Sequence, residues 1–280
     1  MYEVYEKIIE GHQKELNKDI NESYKKAEEE LIALADKSIN ESGKKEKQAN
    51  KAIEALILAL WVKNGKRVDI SSEAIMMDSW LFYEHIAAYR LGKSKLILTN
   101  QEIAKIIRNI SKQRKKVIKW EKIIKGNGKR LDRQLKYIIR KGVKANKTDR
   151  QIQAEIEKRM RLNRNKAKQI ARTETNWYRS EAKLRVAKHQ EGELTVIKTW
   201  IYTYRSKEPR VHHKKAGESG QTAIGVDGKF SINGLETVAP QHFGIASEDI
   251  NCTCDYKMEY AEKTETSMKE FKQYKDAKKQ

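Results

Sequence analysis

The residues best suited to metal chemistry lie in the last third of the chain. His212 and His213 are followed by His242 and then by the pair Cys252 and Cys254. Zinc prefers sulfur and imidazole ligands, so a zinc site made of His213, His242, Cys252 and Cys254 is chemically reasonable. Cys-x-Cys is nevertheless a weaker signal than paired CxxC motifs, and the histidines have no regular ligand spacing. We therefore expect no cofactor and keep zinc as the alternative.

Arg210, His213 and the two cysteines are expected to converge, although about forty residues separate the two halves. The intervening segment is rich in glycine and cannot order itself by packing alone. Zinc would hold its ends together with binding energy that becomes folding energy. Alternatively, Arg210 and His213 donate hydrogen bonds to backbone carbonyls around Asn251 while the small cysteines fill the core. Because a single intervening residue constrains a chelate through both sulfurs, we favour the closure without metal.

Two glutamates on an apolar helix stripe, Glu174 and Glu181, are candidates for acid–base chemistry. Two helical turns separate them by roughly 10 Å, which is too far for a tight catalytic pair. Burial of an unpaired carboxylate is costly, so we expect these groups to bind arginines such as Arg172, Arg185 or, for Glu174, Arg210, or else backbone amides. Neither glutamate is therefore predicted to be catalytic.

A nuclease site would combine the same histidines with Asp227 or Asn233 around a divalent ion. No compact cluster of acidic ligands accompanies them in the sequence. P-loop, dinucleotide-binding and serine-nucleophile motifs are also missing from it. We therefore expect a protein that is not an enzyme. A metal-dependent nuclease or toxin-like enzyme that uses the His/Cys region is the alternative.

The positive charge of the chain is concentrated in one block. The 280 residues carry 59 Lys and Arg against 39 Asp and Glu, a net charge of +20. Residues 105–190 alone carry 29 against 7, a net charge of +22. A local excess of this size predicts binding to a polyanion, and we favour nucleic acid over a membrane surface. No base-reading module is visible, so contact should be with phosphates and independent of base sequence. A generic nucleic-acid-binding module is a further alternative.

One helix is predicted to carry a basic stripe. Thr99 and Glu102 form a capping-box pattern, and the helix is expected to run from there to Gly126–Gly128. Its apolar side consists of Ile103, Ile106, Ile107, Ile110, Val117, Trp120 and Ile124. The expected DNA-binding side chains are Lys105, Arg108, Lys112, Lys115, Lys119 and Lys122. The two sets are offset by two residues, about 200° around a helix, so one face packs while the other meets phosphate.

These patterns predict an α+β fold that is predominantly α, with long N-terminal and central helices followed by a small, loop-rich C-terminal α+β module. Helix breaks are expected at Ser42-Gly43 and Asn64-Gly65, and separate helices are expected from Thr148 to Met160 and from Arg164 to Gln190. The expected segments are an N-terminal helical region at 1–98, a basic helical region at 99–162, the α+β module at 163–260 and a polar tail at 261–280.

The remaining expectations concern strands and cellular context. Strands are predicted at Thr195–Tyr204 and Cys252–Met258. No apolar run approaches the roughly 18 residues that a membrane span needs, and no signal peptide is expected after Met1. A disulfide between cysteines one residue apart would be strained, so a reducing compartment is expected.

An ordered set of residues runs through positions 150–256. Its members are Arg172, Thr173, Glu174, Trp200, Arg210, His213, Phe230, Asn251, Cys252 and Cys254. An Arg-Thr-Glu helix segment, a tryptophan strand, an Arg-x-x-His step, a phenylalanine and a closing Asn-Cys-x-Cys follow in that order. This set resembles the signature of the phage minor head protein family, the head-morphogenesis family that includes the Mu F-like proteins. The chain departs from that signature around Tyr204-Arg205-Ser206, where an acidic residue is common, and in having Cys-Thr-Cys for Cys-Arg-Cys.

The resemblance implies a structural protein, present in a few copies inside the phage head and assembled in the host cytoplasm. Its implied partners are the portal protein, major capsid or scaffold components and double-stranded DNA, with no membrane. Its implied role is in head assembly or in DNA packaging or ejection. Some members of the family carry appended enzyme domains such as ADP-ribosyltransferases, for which the segment after residue 260 is too short.

Overall fold

The computed structural model describes residues 2–41, 44–91, 98–190, 194–203 and 210–262. The helices are α1 (Tyr2–Asn40), α2 (Lys44–Arg90), α3 (Asn100–Val117), α4 (Trp120–Lys144), α5 (Asp149–Gln190), α6 (Val211–Glu218) and α7 (Ala246–Asp249). The strands are β1 (Leu194–Ile201), β2 (Thr222–Ile224), β3 (Phe230–Ile232), β4 (Leu235–Thr237) and β5 (Asp255–Glu262). The predicted class, α+β and predominantly α, is confirmed.

The chain divides into two compact units, each built from separate stretches of sequence. One unit, which we call the sheet unit, contains residues 1–9, 72–107 and 173–280. The other, which we call the basic unit, contains residues 10–71 and 108–172. The predicted segment boundaries at residues 98, 162 and 260 stay a prediction.

Glycines that were expected to end helices lie inside them. α2 continues through Asn64 and Gly65, and α4 continues through Gly126 and Gly128, so both predicted helix ends are wrong. A Cβ added at Gly65 would lie 2.3 Å from Cδ1 of Ile124. This glycine therefore allows α2 and α4 to approach each other rather than capping a helix. Asn64 stays helical because it is buried and its side-chain amide donates to a carbonyl of its own helix.

The single helix predicted to carry the basic stripe is two helices. α3 ends at Val117, and α4 begins at Trp120 after Lys119, whose backbone is left-handed with a φ of 54°. The turn at Lys119 changes the direction of the chain, which buries Trp120 and leaves Val117 75% exposed. The expected continuous stripe and the expected burial of Val117 are therefore wrong, because tertiary packing of Trp120 overrides the local helical pattern.

Both predicted capping boxes are present. The backbone N–H of Thr99 donates to the Glu102 carboxylate at 2.8 Å, and that of Glu102 donates to the Thr99 hydroxyl at 3.3 Å. Thr148 and Gln151 repeat the arrangement at 3.0 and 3.3 Å. From there α5 continues to Gln190, so the two helices predicted for this stretch are one. No glycine or proline interrupts it.

One apolar core holds the basic unit together. It combines buried side chains of α1, α2, α4 and α5 that recur at helical spacing. Its largest members are Tyr24, Trp61, Trp120 and Met160. Sequence-distant helices therefore share one interior, as a single compact unit requires.

The close approach of α4 to α5 depends on Gly142 in the last turn of α4. A Cβ added there would lie 2.5 Å from Cγ1 and 2.7 Å from Cδ1 of Ile152, a buried β-branched side chain. Because the rotamers of such a side chain are restricted, Ile152 cannot move aside cheaply. We expect Gly142→Ala to lower the free energy of unfolding by about 1–3 kcal/mol, the usual cost of overpacking. Urea denaturation measures this change.

Gly126→Ala is the matched control for this prediction, because Gly126 lies in the same helix and a Cβ added there would meet no heavy atom within 4 Å. Alanine there should stabilise the helix by roughly 0.5–1 kcal/mol. Equal effects of Gly126→Ala and Gly142→Ala would contradict the close packing of Gly142 against Ile152.

The sheet unit contains two small antiparallel sheets. One has the strand order β2-β1-β5, with Trp200 of β1 opposite Tyr256 of β5, and the other is the β3–β4 hairpin. The first predicted strand is present as β1, the central strand of its sheet, although it ends at Ile201, earlier than predicted. The closing strand begins at Asp255, later than predicted, so Cys252 and Cys254 lie in the turn that precedes it.

Lys198, in the middle of β1, is fully buried and anchors the glycine-rich segment beyond β2. Its ammonium group donates to the carbonyls of Val226, Gly228 and Val238 at 2.7, 2.6 and 2.8 Å. Three charge-assisted hydrogen bonds therefore order a segment that has little apolar packing of its own.

Two sequence-based expectations concern residues at the margin of the structure. The break at Ser42-Gly43 and most of the polar tail at 261–280 lie outside the described residues. Among the helices of the described ranges, none has a stretch long and apolar enough to cross a membrane.

Candidate functional site

The structure brings one imidazole nitrogen and two sulfurs together in the sheet unit. Nδ1 of His213 lies 3.5 Å from Sγ of Cys252 and 3.6 Å from Sγ of Cys254. The three ligand atoms lie within 4.8 Å of one another, and all three residues are buried. We call this set the His-Cys-Cys cluster. The predicted convergence of His213 with both cysteines is thus present.

The other ring nitrogen of His213 faces an acidic residue of α7. Its Nε2 lies 2.9 Å from Oε2 of Glu248, although the angle is unsuited to a hydrogen bond. The same oxygen is hydrogen-bonded to Nε2 of His212 at 2.9 Å and lies 3.8 Å from Nε of Arg210. Burial alone would raise the pKa of Glu248, but His212, His213 and Arg210 outweigh it, so the pKa is lowered. Glu248 is therefore a carboxylate that lies beside Nε2 of His213, while Nδ1 of the same ring faces the sulfurs.

Arg210 closes the segment as expected for hydrogen-bonded ends. Its guanidinium donates to the carbonyl of Ile250 at 2.8 Å, next to Asn251. The expectation that His213 would donate to a backbone carbonyl is wrong, because its two nitrogens face sulfur and carboxylate. Arg210 thus binds the backbone of this turn, whereas His213 faces the sulfurs and the Glu248 carboxylate.

The backbone of Cys252-Thr253-Cys254 is fixed by side chains from three directions. Asn176 of α5 donates to the carbonyl of Cys252 at 3.1 Å, and Thr203 donates to that of Thr253 at 2.8 Å. Gln241 donates to the carbonyls of Cys252 and Cys254 at 3.3 and 2.8 Å. The two thiols are therefore positioned by a hydrogen-bonded backbone, which is a preorganised arrangement.

Aromatic rings enclose the imidazole of His213. Phe243 stacks on it with centroids 5.5 Å apart, and Trp200 meets it edge-on at 5.5 Å. Phe230, a residue of the family-like signature, packs against Trp200 at 5.2 Å. This apolar wall excludes water and fixes the orientation of the ring.

The thiols influence each other strongly. A hydrogen bond from the Cys254 thiol lowers the pKa of Cys252 well below its usual value, and His213 acts in the same direction. The same bond raises the pKa of Cys254, and burial adds to that rise. The pKa values of the two thiols are therefore shifted in opposite directions.

His242, the remaining member of the zinc set considered from sequence, lies in another constellation. Its Nε2 is 3.0 Å from the carboxylate of Glu181, its Nδ1 is 3.0 Å from the carbonyl of Pro240, and its ring stacks on Trp177. Both ring nitrogens therefore have partners, which removes His242 from the set. Glu181 also pairs with Arg185 at 2.7 Å, as expected for a structural carboxylate.

The other signature residues connect α5 to the closing turn. The hydroxyl of Thr173 accepts a hydrogen bond from the backbone N–H of Asn251 at 3.0 Å. Asn251 has a positive φ of 62°, a conformation that asparagine tolerates better than most residues. Glu174 is buried and Arg172 is exposed. The Thr173–Asn251 bond therefore joins the Arg-Thr-Glu segment of α5 to the Asn-Cys-x-Cys turn.

A buried charge network in the same unit was missed by sequence analysis. Asp255 accepts from Arg179 at 2.7 Å and from Lys183 at 2.6 Å, and Arg179 also pairs with Glu6. Burial by itself would raise the pKa of Asp255, but the two cations outweigh it and lower the pKa. The complete burial of Lys183 is visible only in the structure.

Almost all of the net positive charge of the protein belongs to the basic unit. That unit contains 36 Lys and Arg against 17 Asp and Glu, a net charge of +19, whereas the sheet unit contains 23 against 22. An excess of this size in one compact body produces a strong local potential for polyanions.

Two clefts on the basic unit concentrate these cations. Cleft A, of about 1120 Å³, is lined by seven lysines and two acidic residues: Lys66, Lys115, Lys116, Lys119, Lys122, Lys125, Lys129, Asp69 and Glu121. Cleft B, of about 610 Å³ between α4 and α5, is lined by six cations and one acidic residue: Arg130, Arg133, Lys141, Lys147, Lys158, Arg159 and Glu155. The acidic residues partly neutralise each cleft, since Lys115 pairs with Asp69 at 3.0 Å and Lys147 pairs with Glu155.

The residues predicted to bind DNA are only partly gathered. Lys115, Lys119 and Lys122 line cleft A, whereas Arg108 and Lys112 lie on α3 outside that lining. Lys105 belongs to the sheet unit. The cations of cleft B were not among the predicted site residues, although their density in the sequence was visible. Whether any of them binds DNA stays a prediction.

Comparison with known proteins yields partial similarities. No family model and no solved structure matches the chain. The chain is 32% identical over 91 residues to NAD(+)–arginine ADP-ribosyltransferase EFV of Enterococcus faecalis, which covers 31% of this chain and 18% of that protein. It is 29% identical over 117 residues to minor head protein GP7 of Bacillus phage SPP1, which covers 41% of this chain and 37% of that protein. The chain thus spans well under half the length of either relative. The second similarity supports a phage head protein and a location in the virion.

Proposed function

We propose that this chain is a phage minor head protein that lies inside the head and contacts packaged double-stranded DNA without sequence specificity. The observation that carries the proposal is the net charge of +19 on the basic unit, against +1 on the sheet unit. The similarity to minor head protein GP7 supports the head, and the charge supports the contact with DNA.

The dimensions of α4 suit a duplex. This helix has 25 residues, and its cations contribute to both clefts. At 1.5 Å per residue it is about 37 Å long, close to the roughly 34 Å of one turn of duplex. Arg130, Arg133 and Lys141 are exposed in cleft B, so their charges are available to phosphates. We propose that α4 lies along the phosphate backbone of DNA.

Neutralising cleft B tests this directly. We expect the quadruple variant Arg130→Gln, Arg133→Gln, Lys141→Gln and Lys158→Gln to bind duplex DNA more weakly. Each lost phosphate contact should also reduce the slope of log K against log salt by about 0.9. Fluorescence anisotropy with a duplex of arbitrary sequence, repeated over a series of salt concentrations, measures both quantities.

Two further variants sharpen the test. Neutralising Lys116, Lys119, Lys122 and Lys129 reports on cleft A in the same way. Neutralising four exposed lysines of α1 and α2, Lys25, Lys26, Lys37 and Lys51, removes equal charge from the same unit outside both clefts. A salt slope that falls equally in all three variants would show that only net charge matters. An unchanged slope in the cleft variants would exclude both clefts as the DNA interface.

We also propose that the protein is present in a few copies and has the portal protein and major capsid or scaffold components as partners. Purified virions should then contain the chain at low stoichiometry by quantitative mass spectrometry. The chain should resist added protease in intact heads and become sensitive after the heads are opened. Sensitivity in intact heads would place the protein outside.

We propose that the chain itself is not an enzyme, with a nuclease or toxin-like activity as the competing function. The similarity to the ADP-ribosyltransferase covers 18% of that protein and therefore supports no activity here. Plasmid DNA should remain intact when incubated with the protein and Mg²⁺ or Mn²⁺, and NAD⁺ should release no nicotinamide. Cleavage of the plasmid that disappears in His213→Gln would favour the nuclease instead.

A further inference from the structure

We infer that the His-Cys-Cys cluster binds a zinc ion through Nδ1 of His213 and the sulfurs of Cys252 and Cys254, with Glu248 orienting the histidine. The inference goes beyond the proposed function and does not depend on it. It also reverses the preference for a metal-free closure that the sequence alone supported.

The spacing of the ligand atoms is that of a metal site. Zinc bonds of about 2.3 Å to sulfur and about 2.0–2.1 Å to nitrogen, at tetrahedral angles, place nitrogen and sulfur about 3.6 Å apart. The two distances from Nδ1 of His213 to the sulfurs are 3.5 and 3.6 Å. The nitrogen–sulfur distances therefore already suit a bound zinc ion.

The surroundings supply what a zinc site needs beyond its direct ligands. A histidine ligand commonly has a carboxylate at its other ring nitrogen, which fixes the tautomer that leaves Nδ1 free to bind metal. Glu248 occupies that position, 2.9 Å from Nε2 of His213. Nε2 is buried, and no hydrogen bond to it is formed by the described residues. A small rotation of the ring on binding metal would align Nε2–H with the carboxylate.

A second buried polar group lies beside the cluster. The indole N–H of Trp200 is buried without a hydrogen-bond partner among the described residues, and the indole ring meets the ring of His213 edge-on.

A metal-free closure explains less of this arrangement. The carbonyls of Cys252, Thr253 and Cys254 already accept hydrogen bonds from Asn176, Thr203 and Gln241, so His213 is not needed to hold the turn. A thiol is a weak hydrogen-bonding group, so hydrogen bonds among one ring nitrogen and two thiols hold the cluster only weakly. A shared cation satisfies all three atoms. The cluster offers three protein ligands, which leaves the fourth position to water or an external ligand.

Metal analysis of the full chain, purified without an affinity tag, tests the assignment. We expect stoichiometric zinc by elemental analysis. Replacement by Co²⁺ should give the intense visible bands of a tetrahedral thiolate site. His213→Gln and Cys254→Ser should lose the metal, whereas His242→Gln, which removes a histidine bonded to Glu181 and Pro240, should retain it.

The Co²⁺ titration of the unmodified protein keeps the inference testable if the cluster variants fail to fold. Protein that neither contains zinc nor takes up Zn²⁺ or Co²⁺ would overturn the assignment, and so would stoichiometric copper in place of zinc. Loss of metal in His242→Gln to the same extent as in His213→Gln would also contradict it. None of these outcomes bears on binding of DNA by the basic unit.

Discussion

Asp255→Asn is expected to lower the free energy of unfolding by about 3 kcal/mol. Asp255 is the shared acceptor for Arg179 and Lys183, and the Lys183 side chain is fully buried. Removing the negative charge leaves a buried cation without compensation, and breaking a buried ion pair from one side is far costlier than losing a surface pair. Chemical denaturation at neutral pH measures the loss.

The pH dependence of this effect has a defined sign. The folded-state pKa of Asp255 is lowered below its ordinary value of 3.8. Its contribution is therefore fully present above about pH 4 and is lost as the pH falls through the folded-state pKa. The difference in stability between the unmodified protein and Asp255→Asn should shrink in that acidic window.

Glu259→Gln is the matched control, since Glu259 lies on the same strand in an exposed pair with Lys257. It should change stability by less than about 1 kcal/mol. Lys183→Met should reduce the cost of adding Asp255→Asn, because one of the two cations that Asp255 compensates is gone. A cost of Asp255→Asn that is small, or unchanged in the Lys183→Met background, would show that the network contributes little.

Lys198→Met is expected to destabilise the sheet unit by about 2–4 kcal/mol. The variant leaves one buried carbonyl oxygen, that of Val226, and two partly buried ones, those of Gly228 and Val238, without their donor. Each unsatisfied group costs about 1–3 kcal/mol, and relaxation of the segment recovers part of the sum. Thermal unfolding gives the total change. Hydrogen exchange in residues 226–238 should rise more than elsewhere in the unit.

Lys257→Met is the control for the loss of a lysine from this sheet. Lys257 faces solvent on β5 beside Thr199 of β1, so its replacement should change stability by about 0.5 kcal/mol or less. Burial lowers the pKa of Lys198 to about 8 from 10.5, so the unfolded chain binds more protons between these values. The stability gap between the unmodified protein and Lys198→Met should therefore widen as the pH rises through this window. Equal behaviour of the two lysine variants would refute an anchoring role.

Features that depend on near neighbours could be predicted from the sequence. The capping boxes at Thr99 and Thr148 are bonds between residues three positions apart, so local chemistry decides them. The α+β class and the position of the basic block follow likewise from periodicity and composition. The convergence of His213 with Cys252 and Cys254 was expected because the glycine-rich segment between them cannot order itself by packing alone, and the structure shows the contacts.

Features that depend on packing between distant segments were decided only by the tertiary structure. Gly65 and Gly142 lie where a second helix approaches, and nothing in their own neighbourhood distinguishes them from helix-ending glycines. Lys119 adopts a left-handed conformation that buries Trp120. A tertiary contact likewise excludes His242 from the zinc set, because its Nε2 binds the carboxylate of Glu181 on α5. Local hydrogen bonds and charge are properties of neighbouring residues, whereas burial and close approach are properties of surfaces that meet only when the chain has folded.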